Sequence, residues 1–466
     1  MINLKSLRNK KVGVLGLEKT GLSVIKAVEQ AGGSLICWDD DKEKRDKIKF
    51  NGVTVKDLND RNLIRELDLL VVSPGVPHLY PNAHPIVTLA YELNIRVDND
   101  IGLFFSSYLE EEYDAFSDPP KIIAITGSNG KSTATALASH VLSKFFSDVE
   151  MGGNIGKPVL ELSPIKEGSI RLLELSSYQI ELAKNLAPNI AAFINFSSDH
   201  LQRHGGLGGY FYAKARLFLE NLTDMSVINI DTAEGLFLYQ RLNSADNKII
   251  AISSKLDITG YLWAVVLKGY FITEWKKGRK VYSFDLRNLG DSFFSLRESL
   301  LTVYALARSF GIAPKSILTK CNGFVPLAYR NQLIDVIGGV TFINDSKATN
   351  VDATIHALKT HKNVHLILGG RAKENNFYQL QNSMKFISKI YLIGEAAQLI
   401  ASNLKGNEIE QCDTLDNAFD RAISIAMDGD TILFSPACAS FDQYLNFEER
   451  GKHFVSLVEK YRKNAI

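Results

Sequence analysis

The sequence lacks the features that mark secreted, membrane-spanning and nucleic-acid-binding proteins. Only four of its 466 residues are cysteines, irregularly spaced, which argues against a disulfide framework or a zinc site and favours reduced thiols. The most apolar later stretch, residues 261–272, contains Lys268 and is too short to cross a bilayer, and no signal peptide is expected. A net charge of +1 offers no field to attract nucleic acid or a membrane surface. The composition predicts a soluble cytoplasmic protein.

Short apolar runs alternate with helical periods along the chain, a pattern typical of parallel α/β domains. The length is too great for one core, so about three domains are expected. The strand patterns fall into three blocks: residues 11–17, 34–38, 68–72 and 95–97; residues 169–175, 190–195, 226–230 and 248–252; and residues 341–344, 365–369, 389–393 and 431–434. Residues 261–284 are interpreted as antiparallel, with a hairpin turn at 276–279. Residues 110–120 are polar and acidic and are interpreted as a linker.

The strongest motif is T-G-S-N-G-K-S-T at residues 126–133, between an apolar strand pattern and a helical pattern. We call these residues the phosphate loop. Small residues let backbone N–H groups turn toward a phosphate, Lys131 supplies a positive charge, and the Ser132 hydroxyl can reach a phosphate-bound Mg²⁺. The loop is a shortened variant, because Ile125 stands where the usual spacing places the first glycine. The pattern predicts nucleotide binding by the following residues: Gly127, Ser128, Asn129, Gly130, Lys131, Ser132 and Thr133.

A second glycine-containing turn follows the first strand pattern, at residues 13–21. Glu18 occupies the place of the middle glycine of a dinucleotide fingerprint, and its carboxylate would oppose a pyrophosphate, so another nucleotide is expected rather than NAD. Asp39 ends the second strand pattern, where it could bind a ribose or cap a helix, and both interpretations are open. Ser73 and Gly75 follow the third strand pattern and face the same crevice.

Polar residues at the ends of two strands in the second block suggest a metal site. Glu174 interrupts an apolar strand, and a buried lone carboxylate is costly unless it is paired or bound to a cation. A metal ligand is therefore favoured over an edge-strand glutamate in water. Asp199 and His200 emerge at the same edge, where His200 is either a site residue or a structural histidine. Lys214 lies in a helical pattern with aromatic neighbours, and its chemistry alone predicts a surface lysine.

Two segments of the third block follow strand patterns and are rich in small or polar residues. Residues 344–350, N-D-S-K-A-T-N, bring a carboxylate, hydroxyls and an ammonium to a helix start, where a phosphate or a substrate carboxylate could bind. Residues 435–442, S-P-A-C-A-S-F-D, would let the backbone approach a ligand closely. Cys438 is not expected to be a nucleophile, because no histidine is near it in sequence. Either segment could be a capped turn, but their shared position at strand ends favours a site.

Together these motifs resemble the Mur ligase family of peptidoglycan synthesis, over essentially the whole chain. Besides the phosphate loop, the similar segments are residues 152–156, 173–179, 195–200, 344–350, 368–373, 435–442 and 446–451. The third block is most similar to the branch that adds D-glutamate. The resemblance implies three domains: a Rossmann-like domain that binds a UDP-sugar at 1–112, a central P-loop domain at 113–322, and a Rossmann-like domain at 323–466 that binds the amino acid and contributes to the ATP site.

The resemblance also implies an ATP-dependent ligase that activates a carboxylate as an acyl-phosphate for attack by the amine of D-glutamate. It implies Mg²⁺ at two sites, a monomer, a cytoplasmic location, and a role in cell-wall biogenesis, cell shape and cell division. Its partners would be small molecules, with no nucleic acid and no membrane.

The resemblance assigns roles to individual residues of this chain. For ATP it implies the phosphate loop with Arg330, Asp345 and Lys347. For the UDP-sugar it implies Lys19 and Thr20, beside which Asp39, Ser73 and Gly75 are expected from their place at the same crevice. Asn154 is expected to serve the UDP-sugar, the metal ions and the acyl-phosphate. For D-glutamate it implies Thr349, Lys373, Ser440, Phe441 and Phe447. For the metal ions it implies Ser132, Glu174, His200 and Lys214, the last as a carbamate. The catalytic residues would be Lys131, His200, Lys214 and Lys347.

Two segments depart from the family's pattern. Residues 295–299 read S-L-R-E-S where the family has a His-Asn pair and a further asparagine, and residues 325–332 keep Arg330 but not the usual histidine and glutamate. These departures predict a weakened or altered ATP site. Three functions remain open: the D-glutamate ligase; a sister ligase for another amino acid or a folylpolyglutamate synthetase; and a silent scaffold that binds the nucleotide-sugar.

Overall fold

The computed structural model describes residues 1–48, 53–111, 116–220, 223–245, 247–290, 293, 296–373, 375–406 and 408–464. The chain forms two compact units, Met1–Phe324 and Val325–Ile466. The first unit contains two β-sheets and the second contains one, each combined with α-helices. The predicted α/β class is confirmed. Within the described residues, no helix combines the length and the apolar character needed to cross a membrane.

The first sheet is fully parallel, and its strand order places a ligand crevice. Its strands are β1 (Lys11–Leu15), β2 (Ser34–Trp38), β3 (Val53–Val55), β4 (Leu69–Val72) and β5 (Arg96–Asp98). Its helices are α1 (Lys19–Ala31), α2 (Lys42–Lys47), α3 (Arg61–Arg65), α4 (Pro85–Glu92) and α5 (Asp100–Leu109). The order β3-β2-β1-β4-β5 reverses between β1 and β4. In open parallel sheets, ligands bind at the carboxyl ends of the strands where such a reversal occurs.

The second sheet places the phosphate loop after a strand that has a parallel neighbour on each side. Its strands are β6 (Lys121–Thr126), β7 (Val149–Gly153), β8 (Ile170–Glu174), β9 (Ile190–Phe193), β10 (Met225–Asn229), β11 (Ile249–Ser253), β12 (Trp263–Lys268), β13 (Phe271–Lys276) and β14 (Arg279–Asp285). Its helices are α6 (Lys131–Leu142), α7 (Ser177–Leu182), α8 (Leu207–Leu219), α9 (Ala233–Asn243), α10 (Arg297–Ser309) and α11 (Pro314–Thr319). Strands β8 and β9 flank β6, so the segments after all three meet at one edge. The predicted antiparallel hairpin is confirmed as β13 and β14.

The third sheet brings three loops of the second unit to one edge. Its strands are β15 (Gln332–Ile337), β16 (Val340–Asn344), β17 (Val364–Gly369), β18 (Ile387–Ile393), β19 (Glu408–Asp413) and β20 (Thr431–Ala437). Its helices are α12 (Val351–Leu358), α13 (Ala397–Asn403), α14 (Leu415–Ile425) and α15 (Phe447–Asn464). Strand β20 lies between β16 and β17 and is parallel to both. The carboxyl ends of these three strands therefore carry adjacent loops, which contain the predicted third-block residues.

The first two sheets share one hydrophobic core. A single cluster of buried apolar side chains runs from Val14 and Phe104 near the first sheet to Leu173 and Phe193 in the second. Parallel strands that are covered by helices on both faces have continuous apolar sequences. All four residues of β4 and all four of β9 are buried in this way. The continuous core explains why one compact unit contains both sheets.

Candidate active site

The phosphate loop between β6 and α6 is fixed by a side chain that follows β9. Asn195 Oδ1 accepts hydrogen bonds from the backbone N–H groups of Ser128 and Asn129, at 3.0 and 2.9 Å. Gly130 has a left-handed backbone with φ +77°, which glycine adopts without strain, and α6 begins at the next residue. The positive end of the α6 dipole therefore lies at the carboxyl edge of the sheet, as a phosphate site requires.

Two lysines converge on this loop. Lys131 Nζ donates hydrogen bonds to the carbonyl oxygens of Gly127 and Ser128, each at 2.9 Å. Lys214 Nζ donates to the same Gly127 oxygen at 2.9 Å and lies 4.6 Å from the ring centroid of Tyr210. The surface position that its chemistry alone predicts for Lys214 is wrong, because the residue is 1% exposed. Helix α8 presents it to the interior of the unit instead of to solvent.

The surroundings of Lys214 change its protonation. Burial lowers the pKa of its ammonium well below the ordinary value, and the charge of Lys131 lowers it further, while Asp199 and Glu174 oppose the shift. A lowered pKa enlarges the fraction of neutral amine near pH 7, and the neutral amine is the nucleophilic form. These surroundings favour the neutral form of the Lys214 amine, which lies beside the phosphate loop.

Glu174 is a buried carboxylate with one oxygen that has no partner. It ends β8, an inner strand between β6 and β7, and is 2% exposed, so the edge-strand interpretation is wrong. Asn154 Nδ2 donates to Glu174 Oε1 at 3.0 Å, whereas Oε2 is buried and accepts no hydrogen bond within the described residues. Such an oxygen suits a cation. Among the described residues, no group of three or more His, Cys, Asp or Glu side chains forms a ready-made metal site.

His200 and Ser132 occupy the same edge of the second sheet. His200 follows β9 in a left-handed conformation with φ +55°, and its Nε2 lies 3.5 Å from Asp199 Oδ2. The imidazole packs against Tyr178 with ring centroids 4.8 Å apart. Ser132 is buried in the first turn of α6. The ends of β6, β8 and β9 thus bring the sequence-predicted residues Lys131, Ser132, Glu174 and His200 to one edge.

Asp39 organises the crevice of the first sheet. Its Oδ2 accepts from the backbone N–H of Leu17 at 2.8 Å, and its Oδ1 accepts from that of Asp41 at 2.9 Å. Asp41, not Asp39, caps the following helix α2, so the helix-capping interpretation of Asp39 is wrong. Ser73 Oγ donates to the carbonyl of Gly16 at 2.9 Å and thereby joins the loops after β1 and β4. Gly75 follows in the same loop as Ser73.

The turn before α1 carries a carboxylate that already has a cationic partner. Glu18 is the N-cap residue of α1 and pairs with Lys44 at 2.6 Å. Lys19 Nζ donates to the carbonyl of Gly156, which follows β7, and Thr20 is the next residue of the helix. Lys19 therefore joins the turn after β1 of the first sheet to the segment after β7 of the second.

In the second unit, Asp345 is a buried carboxyl between two hydrogen-bond donors. Ser435 Oγ donates to its Oδ2 at 2.8 Å, and the backbone N–H of Asn331 donates to its Oδ1 at 2.9 Å. Burial raises the pKa of Asp345 to about 7, although these hydrogen bonds and the Arg330 charge oppose the rise. The backbone N–H of Asn331 thus connects segment 325–332, which departs from the family's pattern, to Asp345.

The other predicted third-block residues form two pairs. Lys347 Nζ lies 3.8 Å from the ring centroid of Phe447, and Lys373 Nζ donates to Thr349 Oγ1 at 3.3 Å. Two further predicted residues follow β20: Ser440 is buried, and Phe441 is 64% exposed. Each lysine is thereby held near the carboxyl edge of the third sheet.

Sequence reasoning gave no role to three residues that hold these sites. Asn195 fixes the phosphate loop, and the Tyr210 hydroxyl donates to Ser128 Oγ at 3.2 Å. Arg450 is 1% exposed and donates to the carbonyls of Ser346 and Cys438. Asn195 could have been found from its place just after a buried strand, whereas the other two contacts depend on tertiary packing. Two parts of the sequence analysis lie outside the described residues: residue 295 of segment 295–299, which departs from the family's pattern, and residues 112–115 of the expected linker.

We expect the raised pKa of Asp345 to give stability a distinct pH dependence. The folded carboxyl keeps its proton between an ordinary pKa of 3.8 and about 7, so unfolding in that range releases a proton. The free energy of unfolding therefore falls as pH rises through this range, by on the order of 4 kcal/mol at most. Asp345→Asn lacks this dependence, and urea unfolding followed by circular dichroism between pH 4.5 and 8 measures the difference. Parallel curves for the two proteins would contradict it.

Comparison with known proteins identifies the class to which this fold and site belong. Residues 125–287 match the Mur ligase middle domain, and residues 329–438 match the Mur ligase, glutamate ligase domain. The chain belongs to the Mur ligase family, whose members are ATP-dependent amide-bond-forming ligases. A relative from Ruegeria pomeroyi, named UDP-N-acetylmuramoylalanine–D-glutamate ligase, is 43% identical over 99% of both chains. A relative of the same name from Roseobacter denitrificans is 42% identical over 99% of this chain and 100% of its own.

Solved structures confirm the predicted fold class. The UDP-N-acetylmuramate-alanine ligase of Thermotoga maritima has a TM-score of 0.60 at 16% identity, over 98% of this chain and 100% of that one. The MurF ligase of the same organism, solved in complex with ADP, has a TM-score of 0.59 at 14% identity, over 100% of this chain and 98% of that one. At these identities the likeness concerns the fold.

Proposed function

We propose that this protein joins D-glutamate to UDP-N-acetylmuramoyl-L-alanine, with conversion of ATP to ADP and phosphate. Full-length relatives at 43% identity carry the name of that activity. The observation that carries the proposal is the cluster of Lys131, Lys214 and Glu174 around a phosphate loop at the edge of the second sheet. This cluster supplies positive charge, a reactive amine and a cation ligand at the place where a nucleoside triphosphate would bind.

The proposed reaction makes a poor electrophile reactive. A carboxylate resists attack by an amine, so its oxygen first takes the γ-phosphoryl group of ATP, and ADP leaves. The amine of D-glutamate then attacks the acyl carbon, the nitrogen loses a proton, and phosphate leaves from a tetrahedral intermediate. Positive charge near the transferring phosphoryl group lowers both barriers. Lys131 is held on the phosphate loop for this role, and His200 lies at the same edge.

We propose that Mg²⁺ binds at Ser132, Glu174 and His200, and that carbamylated Lys214 completes a second site. The buried Oε2 of Glu174 supports this assignment, because it has no hydrogen-bond donor among the described residues and a carboxylate oxygen is a ligand that Mg²⁺ prefers. When bound, Mg²⁺ neutralises charge on phosphoryl oxygens. The carbamate forms when the neutral Lys214 amine attacks CO₂ and releases one proton. The lowered pKa of Lys214 favours the required neutral form.

We propose that the remaining residues bind the substrates. The pair of Lys373 and Thr349 suits a carboxylate of D-glutamate, with Ser440, Phe441 and Phe447 nearby in the same unit. Arg330, Asp345 and Lys347 would contact ATP. The sugar nucleotide would bind at the first-sheet crevice through Lys19, Thr20, Asp39, Ser73 and Gly75, and through Asn154. The protein would work as a cytoplasmic monomer on small molecules alone.

Product analysis tests this function. The purified protein is incubated with ATP, Mg²⁺, D-glutamate and UDP-N-acetylmuramoyl-L-alanine, and the nucleotide-sugar is analysed by mass spectrometry. We expect the mass of one added glutamate residue and one ADP and one phosphate per product. An unchanged nucleotide-sugar that still binds the protein would contradict the ligase and favour a silent scaffold.

A further inference from the structure

One carboxylate in the first unit lies between two histidines, each from a segment that follows a strand of a different sheet. Glu181, on α7, has Oε1 at 3.0 Å from Nδ1 of His204 and Oε2 at 3.3 Å from Nε2 of His78. His204 ends the short segment after β9 that also carries His200. His78 lies in the loop after β4 of the first sheet. We call His78, Glu181 and His204 the clasp.

The clasp depends on a carboxylate at its centre. His78 is 6% exposed and His204 is 2% exposed, so each ring needs partners within the protein. The His204 imidazole hydrogen-bonds one oxygen of Glu181 through Nδ1, and its other nitrogen lies 2.9 Å from Ser177 Oγ. The second oxygen of Glu181 is the one that faces His78 Nε2, at 3.3 Å. A glutamine would offer only one acceptor oxygen and would turn an NH₂ group toward one of the rings.

An aromatic ring connects the clasp to His200. The Tyr178 ring stacks on His204 with a centroid distance of 5.2 Å and an interplanar angle of 14°. The same ring packs against His200 at 4.8 Å. A displacement of His204 therefore moves the surface that supports His200.

Further contacts bind the two segments together beside the clasp. The guanidinium of Arg203 donates to the carbonyls of Gly75 and Val76, at 3.0 and 3.2 Å. Gly205 lies so close to the Tyr80 ring that an added Cβ would be 2.9 Å from it. The loop after β4 and the segment after β9 thus meet at several points.

We propose that the clasp couples the sugar-nucleotide loop, residues 73–84, to the position of His200, and that His78, Glu181 and His204 are positioning residues. This inference rests on the proposed function, in which Ser73 and Gly75 bind the sugar nucleotide and His200 is a Mg²⁺ ligand beside the phosphate loop. Through the clasp, the conformation of loop 73–84 that binds the sugar nucleotide also determines the orientation of His200.

The test compares His78→Gln, Glu181→Gln and the double variant. We expect each single variant to lower kcat by about 10-fold and to raise the KM for UDP-N-acetylmuramoyl-L-alanine, because His200 and the loop both lose their support. The KM for ATP should change less than the KM for the sugar nucleotide, since the contacts of Lys131 and Asn195 within the phosphate loop are untouched. The double variant should be no slower than Glu181→Gln, because contacts in one network are not additive.

His365→Gln is the matched control, since His365 is a buried histidine paired with Asp430 at 3.2 Å in the second unit. It should keep wild-type kinetics. Calorimetric titration of the sugar nucleotide into each variant whose thermal unfolding remains cooperative gives a readout that does not need turnover. Wild-type affinity and kcat in His78→Gln, or additive losses in the double variant, would overturn the clasp. An inactive wild-type protein would contradict the proposed function instead, and the titration would still decide the clasp.

Discussion

Lys131→Ala should abolish formation of the acyl-phosphate. Lys131 Nζ is held by the carbonyls of Gly127 and Ser128, at the start of α6, so its charge lies where a γ-phosphate would be transferred. Cationic groups that stabilise a transferring phosphoryl group contribute about 10³-fold or more to turnover. We therefore expect phosphate release from ATP to fall at least by that factor, as measured by a coupled phosphate assay with all three substrates present.

Lys144→Ala provides the control for Lys131→Ala. Lys144 follows the same helix but is exposed, and it should keep wild-type activity with the same change of charge. Comparable unfolding temperatures for the two variants would show that the loss is not one of folding. Wild-type phosphate release from Lys131→Ala would remove the phosphate-loop assignment.

Lys214→Ala should also inactivate the enzyme, by a different route. In the proposed function the buried amine becomes a carbamate that holds a second Mg²⁺. Loss of a residue that only supports a metal ligand already costs about 10- to 100-fold in activity, so loss of a ligand should cost at least as much. Alanine leaves space beside Gly127 in which a short carboxylate can replace the carbamate. We expect added formate or acetate to restore part of the activity in a saturable manner, measured by the same phosphate assay.

Lys214→Arg separates the carbamate from positive charge as the role of this residue. Arginine keeps a cation but cannot form a carbamate at its guanidinium under these conditions. It should be as inactive as alanine and should not respond to short carboxylates, because its side chain fills the space. Full activity of Lys214→Arg, or no loss in Lys214→Ala, would exclude the carbamate.

The sequence predicted inner strands better than edge strands. The patterns at residues 34–38 and 190–195 correspond to β2 and β9. The four strands that it missed are β3, β7, β15 and β19, and all four lie at the edges of their sheets. Edge strands are partly exposed, as the single buried residue of β19 illustrates, and so they lack a continuous apolar run.

The site was predictable where chemistry is concentrated in sequence, and less so where it depends on packing. The phosphate loop and Glu174 stand next to apolar runs and could be placed at one sheet edge from the sequence. The burial of Lys214 could not be derived from its own segment, because helix α8 is buried by the surrounding core, and only the family resemblance indicated its role. The clasp joins residues 78, 181 and 204, which no local pattern brings together.

Amino-acid selectivity tests the central claim most directly. Phosphate release is measured with ATP, Mg²⁺ and UDP-N-acetylmuramoyl-L-alanine, in the presence of D-glutamate, L-glutamate, L-lysine or meso-diaminopimelate. We expect release with D-glutamate alone, because the Lys373–Thr349 pair and the family relationship both favour that acidic substrate. Release with L-glutamate, L-lysine or meso-diaminopimelate in place of D-glutamate, or no release with any amino acid, would contradict the assignment.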